Sequence, residues 1–132
     1  MTLRNHYRNI AVMPSLSPAA RVNGTTNGTN IDLRGFDAAM IAVGFGAYTD
    51  GTHTPTVQHS TDNSTFTNVA STDLDGTLTA VSSTAGAHAV QSVGYIGANR
   101  YVRVVMTVSG ATTGALSHAA VVVGAARNAP IV

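Results

Sequence analysis

The sequence has no lysine, glutamate, cysteine or tryptophan. Charged residues make up 10% of its 132 positions, against about 25% in an average soluble domain. All seven cations are arginines and all six anions are aspartates. Each absence removes a class of chemistry. Without lysine there is no P-loop lysine and no Schiff-base nucleophile. Without glutamate there is no Glu-based metalloprotease helix and no Glu/Glu glycosidase pair. Without cysteine there are no disulfides, thiolate zinc sites or thiol nucleophiles, and the redox compartment is not legible. A net charge of +1 gives no strong field toward nucleic acid. No apolar run approaches the roughly 20 residues that span a bilayer. The patch Ile10–Met13, cut off by Pro14, is too short for the apolar region of a signal peptide.

What remains reads as β-structure. The length fits one domain. Residues 1–20 hold Pro14, Pro18, Arg4 and Arg8 and show no helical period. They are expected to form an extended N-terminal arm, followed by a single β-sandwich domain over 21–132. Residues 1–34 carry four arginines and one aspartate, and the rest three and five. The arm is therefore basic and the body mildly acidic. An arm of this kind predicts that removing residues 1–18 leaves the β fold intact.

Beyond the arm, valine, threonine and tyrosine alternate with Gly and Asn punctuation. Asn23-Gly24 and Asn27-Gly28 read as turns. Strands are expected at Asn30–Leu33, Phe36–Tyr48, Thr56–Ser60, Phe66–Ala70, Thr77–Val81, Ala89–Ile96, Arg100–Ser109 and Leu116–Gly124. About eight strands at this spacing predict an all-β fold, an antiparallel sandwich or a jelly-roll-like barrel. In Phe36–Tyr48 one side reads Ala39, Ile41, Val43, Phe45. The other reads Met40, Ala42, Gly44, Gly46, small but not polar. That pattern predicts cover on both sides, or a close backbone approach at the glycines. In Arg100–Ser109, Val102, Val104, Met106 and Val108 face one way. Ala111–Ala126 is alanine-rich, but Val121–Val123 and the flanking glycines favour a strand over a helix.

Motifs that carry chemistry are incomplete. The five histidines, His6, His53, His59, His88 and His118, lack i, i+4 spacing. His53 and His59 are the nearest to a metal pair, with ordinary hydrogen bonding as the default. Asp73-Leu74-Asp75-Gly76 resembles half a calcium loop without its closing glutamate and reads as a turn. Gly44-Phe45-Gly46 lacks the third glycine of a dinucleotide fingerprint. Val90-Gln91-Ser92-Val93-Gly94 lacks the first glycine of a nucleophile elbow. Sequons at Asn23, Asn27 and Asn63 arise by chance in so threonine-rich a chain. In Ser60–Phe66, Asp62 is expected to cap the turn and Phe66 to plug the core. No catalytic, cofactor or metal residue is assigned, and the chain is not expected to be an enzyme.

Several segments together resemble small virion proteins of tailed bacteriophages and prophages. They are Asn30–Phe36, Thr49–Pro55, Ser60–Phe66, Tyr95–Val104 and Val108–Gly114. The resemblance spans about residues 30–124 and departs from the expected pattern at Asn63 and Phe66, where glycine and tryptophan would stand. It implies a capsid cement (decoration) protein that sits on an HK97-type shell. Such a protein binds the assembled phage head and bridges major capsid subunits. The implied partners are the major capsid protein and further copies of the chain, as a dimer or trimer, with no nucleic acid, membrane or cofactor. The implied location is the capsid surface, after synthesis in the host cytoplasm. The expected contacts are Arg4, Arg8, Ile10, Val12, Met13 and Leu16 of the arm and Ile131 and Val132 of the tail. The alternatives are another virion part (a head–tail connector component or a fibre base) and a carbohydrate-binding module on the virion.

Overall fold

The computed structural model describes residue 7 and residues 9–126. Ten strands follow in chain order: β1 (Ala11–Arg21), β2 (Gly24–Asn27), β3 (Ile31–Asp32), β4 (Phe36–Tyr48), β5 (Thr52–Ser60), β6 (Thr67–Asn68), β7 (Leu74–Asp75), β8 (Val90–Tyr95), β9 (Tyr101–Ser109) and β10 (Ala115–Ala126). They form two antiparallel sheets packed as a sandwich. The first has the order β1-β10-β4-β8-β7. The second has β2-β9-β5-β6, with β3 pairing the same edge of β9 as β2. The described residues form no closed barrel.

Strand alternation builds the core. Ile41, Val43 and Phe45 of β4, Val93 and Tyr95 of β8, and Ala119, Val121 and Val123 of β10 face inward from the first sheet. Val102, Val104, Met106 and Val108 of β9 and Val57 of β5 meet them from the second. Each fully buried valine, isoleucine or phenylalanine contributes roughly 1.5–3 kcal/mol. β-Branched residues dominate because they suit a pleated, buried surface.

The second half of the expected arm is a strand. Residues 11–21 pair with β10, from Ala11 opposite Val123 to Arg21 opposite Ala115. Register shifts between Pro14 and Leu16 and between Leu16 and Ala19 interrupt the pairing, and they hide the strand period from the sequence. The bulged segment is held by Arg21. Its buried guanidinium donates to the Ser17 carbonyl at 2.8 Å, the Ser117 carbonyl at 2.5 Å and Ser117 Oγ at 3.1 Å. Burial lowers its pKa. Ser15 ties β1 to the opposite sheet: its Oγ accepts from the Val104 amide at 3.0 Å and donates to the Thr29 carbonyl at 3.0 Å.

Other local expectations are revised. Gly24 and Asn27, each expected in a turn, are instead the two ends of strand β2, which runs along β9. Leu74–Asp75, also expected as turn, is edge strand β7, and Gly76 follows with φ of 109°. Of Thr77–Val81, only Val81 pairs, bridging to His53. The alanine-rich stretch is strand β10. Phe66 does not plug the core. It lies half-buried beneath the Arg103 guanidinium, 4.2 Å from the ring centre.

Candidate interaction face

The two outer faces of the sandwich differ sharply. On the second sheet, strand alternation turns Thr25, Thr107 and Thr54 outward in one row and Asn27, Val105 and Thr56 in the next. A third row joins Arg103 to Gln58, whose Oε1 accepts from Nε and Nη2 at 2.9 and 2.8 Å. That face is polar and hydrogen-bonded.

The first sheet turns out a different surface. Its cross-strand registers set Val12, Val122, Met40 and Gly94 in one row, and Pro14, Ala120, Ala42 and Ser92 in the next. A third row joins His118, Gly44 and Val90, and a fourth joins Ala20, Leu116 and Gly46. At the other end Ile10 packs over Gly124, which pairs with Ala38. Among the described residues of these rows, Asp75 on edge strand β7 is the one acidic side chain, and none is an arginine. Among the described residues, seven large hydrophobic residues are prominently exposed, and four of them stand in these rows: Val12, Met40, Val90 and Leu116, each between 41% and 69% accessible. Scattered exposed apolar residues are ordinary, but a contiguous patch marks an interaction site.

The glycines of β4 are covered by side chains, not by another backbone. A Cβ on Gly44 would collide with the His118 ring, and one on Gly46 would lie 3.0 Å from Leu116 Cβ. Both neighbours therefore fold down across the sheet and level its surface.

Of the expected contact residues, Ile10 and Val12 lie on this face. Leu16 departs from that expectation: it is 3% exposed and belongs to the core, because the bulge after Pro14 turns its side chain inward. Met13 is half-buried and packs against the core, since it alternates with Val12. Arg4, Arg8, Ile131 and Val132 lie outside the described residues.

Titratable groups elsewhere serve the fold. His53 is fully buried between the Phe45 and Tyr48 rings, with Nε2 3.0 Å from the Asp50 carbonyl. His59 Nδ1 meets the Tyr95 hydroxyl at 2.9 Å. The two histidines are thus separately engaged. Among the described residues no group of three His, Cys, Asp or Glu comes together. Asp62 closes its turn as expected, accepting from the Ser64 and Thr65 amides at 2.9 Å each. Those bonds hold its pKa down at about 2. Asn63 takes φ of 61° in that turn, a conformation that favours glycine.

A cleft of about 380 Å³ opens between Leu33–Ala39 and Gly97–Arg100. Arg100, on its wall, is bidentate to Asp32 at 2.9 and 2.8 Å and stacks on Tyr101. The pair holds Asp32 at a pKa of about 2. Asp37 and the Tyr95 ring also line the cleft. Among the described residues no helix is long and apolar enough to cross a membrane. No family model, curated protein or solved structure matches the chain.

Proposed function

We propose that this chain is a structural interaction protein that works packed against other protein subunits. Within that class, we read it as a capsid cement protein of a tailed phage or prophage. The observation that carries the reading is the outer face of the β1-β10-β4-β8-β7 sheet, a largely apolar surface on which, among the described residues of its rows, Asp75 at the margin is the one acidic side chain. A small protein that lives free in solution covers itself with mixed charges. Alanine, glycine, serine and valine instead give a surface that is desolvated without immobilising long charged side chains.

Cement proteins act through area. A specific contact buries roughly 1,200–2,000 Å² in total. A protein that binds the assembled shell and not its loose subunits stabilises the shell by mass action. The segment resemblance over residues 30–124 supplies the shell as the assembly, and a rigid sandwich suits a clamp across neighbouring subunits.

The test is co-sedimentation. The full chain is mixed with expanded HK97-type shells that lack decoration, and the shells are pelleted. Saturable recovery in the pellet, at a copy number that follows the major capsid protein, is expected. Bare shells with the protein left in the supernatant overturn the reading. Recovery at one ring per particle points to a connector, and reproducible binding on a glycan array points to a carbohydrate module.

A further inference from the structure

We infer that Asn23 is a self-modifying site, whose side-chain amide is lost to attack by the Gly24 backbone nitrogen, while the fold protects the same tripeptide four residues further on. This chemistry is independent of what the apolar face binds.

The step is internal to the chain. The Gly24 nitrogen forms a bond to Asn23 Cγ and gives up its proton. The Cγ–Nδ2 bond breaks, and Nδ2 leaves with that proton as ammonia. The product is a cyclic imide, and nothing is oxidised or reduced. Water, the one co-reactant, then opens the ring at either carbonyl. One opening gives aspartate. The other gives isoaspartate, in which the main chain runs through the side-chain carbon and gains a methylene.

Asn-Gly-Thr occurs twice, as Asn23-Gly24-Thr25 and Asn27-Gly28-Thr29. Glycine puts no side chain on the attacking nitrogen's residue in either copy, so the fold sets the difference between them. At the second copy the Gly28 amide donates to the Val104 carbonyl at 2.8 Å, and the Thr29 amide to the Ser15 carbonyl at 2.6 Å. A Cβ on Gly28 would strike Ser15 Oγ and lie 2.8 Å from the Ser15 carbonyl oxygen. The Gly28 nitrogen is thus walled in by β1 and β9. Turning it toward Asn27 Cγ breaks the bond to β9 and strains the bond to β1.

The first copy is open. Asn23 is exposed in the bend between β1 and β2. Gly24 begins an edge strand whose four residues are all exposed. Its φ is 133°, and among the described residues nothing lies within 4 Å of a Cβ built on it. Freeing its nitrogen takes at most the end bond of the β2–β9 ladder, where Gly24 stands opposite Val108. Such frayed ends open at little cost in free energy.

A donor already serves the reacting group. The Ala111 amide donates to Asn23 Oδ1 at 2.6 Å. Attack at Cγ pushes negative charge onto that oxygen, and a donor aimed at it stabilises the charge as it develops. The β9–β10 turn divides four successive amides between two side chains, Ala111 to Asn23 and Thr112, Thr113 and Gly114 to Asp50. A carboxylate at position 23 shares this turn with that of Asp50 and takes the formal net charge from +1 to zero.

The test uses the full, unmodified chain in warm, mildly alkaline buffer, once folded and once in concentrated guanidinium chloride. Samples taken over days are cleaved after arginine. Cleavage at Arg21 and Arg34 releases one peptide, Val22–Arg34, that carries both sites. Its fragmentation in the mass spectrometer places the exchange of NH2 for OH at Asn23 or at Asn27. In the folded chain Asn23 is expected to convert roughly tenfold faster than Asn27, or more. In guanidinium chloride the two are expected to convert at the same rate. Equal rates in the folded chain, faster conversion at Asn27 or an unchanged Asn23 overturns the inference. A preference for Asn23 that persists in guanidinium chloride overturns it too, since the sequence and not the fold would then set the rate. Ion exchange gives a second readout. The acidic form that accumulates in the folded wild type is expected in Asn27→Ser and not in Asn23→Ser, and its growth at the wild-type rate in Asn23→Ser overturns the inference.

Discussion

The Asp50 carboxylate accepts the Gly114 amide at 2.6 Å, joining two turns 64 residues apart in the chain. The same carboxylate accepts from Thr112 Oγ1 at 2.8 Å and from the Thr112 and Thr113 amides at 3.2 Å each. It fastens the β4–β5 turn to the β9–β10 turn. These bonds, with that of Gly114 foremost, favour the ionised form and hold the Asp50 pKa at about 2.

A pH dependence follows. Asp32, Asp50 and Asp62 all have folded-state pKa values of about 2, below the ~3.9 of an unfolded aspartate. A depressed folded pKa contributes stability that is full above the unfolded value and lost as pH falls through the folded one. The melting temperature is therefore expected to hold steady from pH 7 to about 5 and to fall between about pH 4 and 2. Asp50→Asn is expected to melt lower at pH 7 and to show a shallower fall below pH 4. Circular-dichroism melts at pH 7, 4, 3 and 2 measure both. Equal slopes in the two proteins would remove Asp50 from the effect.

Two glycines are expected to respond differently to the same substitution. A Cβ on Gly28 would strike Ser15 Oγ and lie 2.5 Å from the Val104 carbonyl oxygen. That oxygen is fixed, since it accepts the Gly28 amide at 2.8 Å. Gly28→Ala is expected to cost about 1–3 kcal/mol in urea unfolding. The nearest atoms to a Cβ on Gly44 are those of the exposed His118 ring, which swings aside. Gly44→Ala is expected to cost less than about 1 kcal/mol, and still less when His118→Ala has removed the ring. The reverse order of the two costs would contradict this account of the close approaches.

Long strands with unbroken alternation were legible in the sequence. Phe36–Tyr48 forms β4 between those same two residues, and the side of β9 read as apolar is buried throughout. What was lost is pairing that local chemistry does not encode. Asn23-Gly24 and Asn27-Gly28 carry turn chemistry, yet hydrogen bonds to β9 draw Gly24–Asn27 into an edge strand. Phe66 is aromatic enough for a core, but the Arg103 guanidinium offers it a place outside. The interaction face was half visible. The small, non-polar side of β4 showed in the pattern, but nothing in the pattern shows that β10 and β8 flank it with Val122, Leu116 and Val90 on the same side.

The strand β1 gives the sharpest test of where arm ends and fold begins. Leu16 sits in the core, Ser15 bonds the opposite sheet, and Arg21 supplies four hydrogen bonds to the bulged segment and β10. Leu16→Ala is expected to cost about 2–5 kcal/mol, for lost burial and the cavity left behind. Removing residues 1–18 deletes Ser15 and Leu16 together and uncovers the edge of β10, whose amides and carbonyls then lack partners. The truncated chain is expected to lose cooperative unfolding or to aggregate. Far-UV circular dichroism and a urea melt of the truncated and full chains decide it. A residue 1–18 deletion that melts like the full chain would return the whole stretch to the status of an arm.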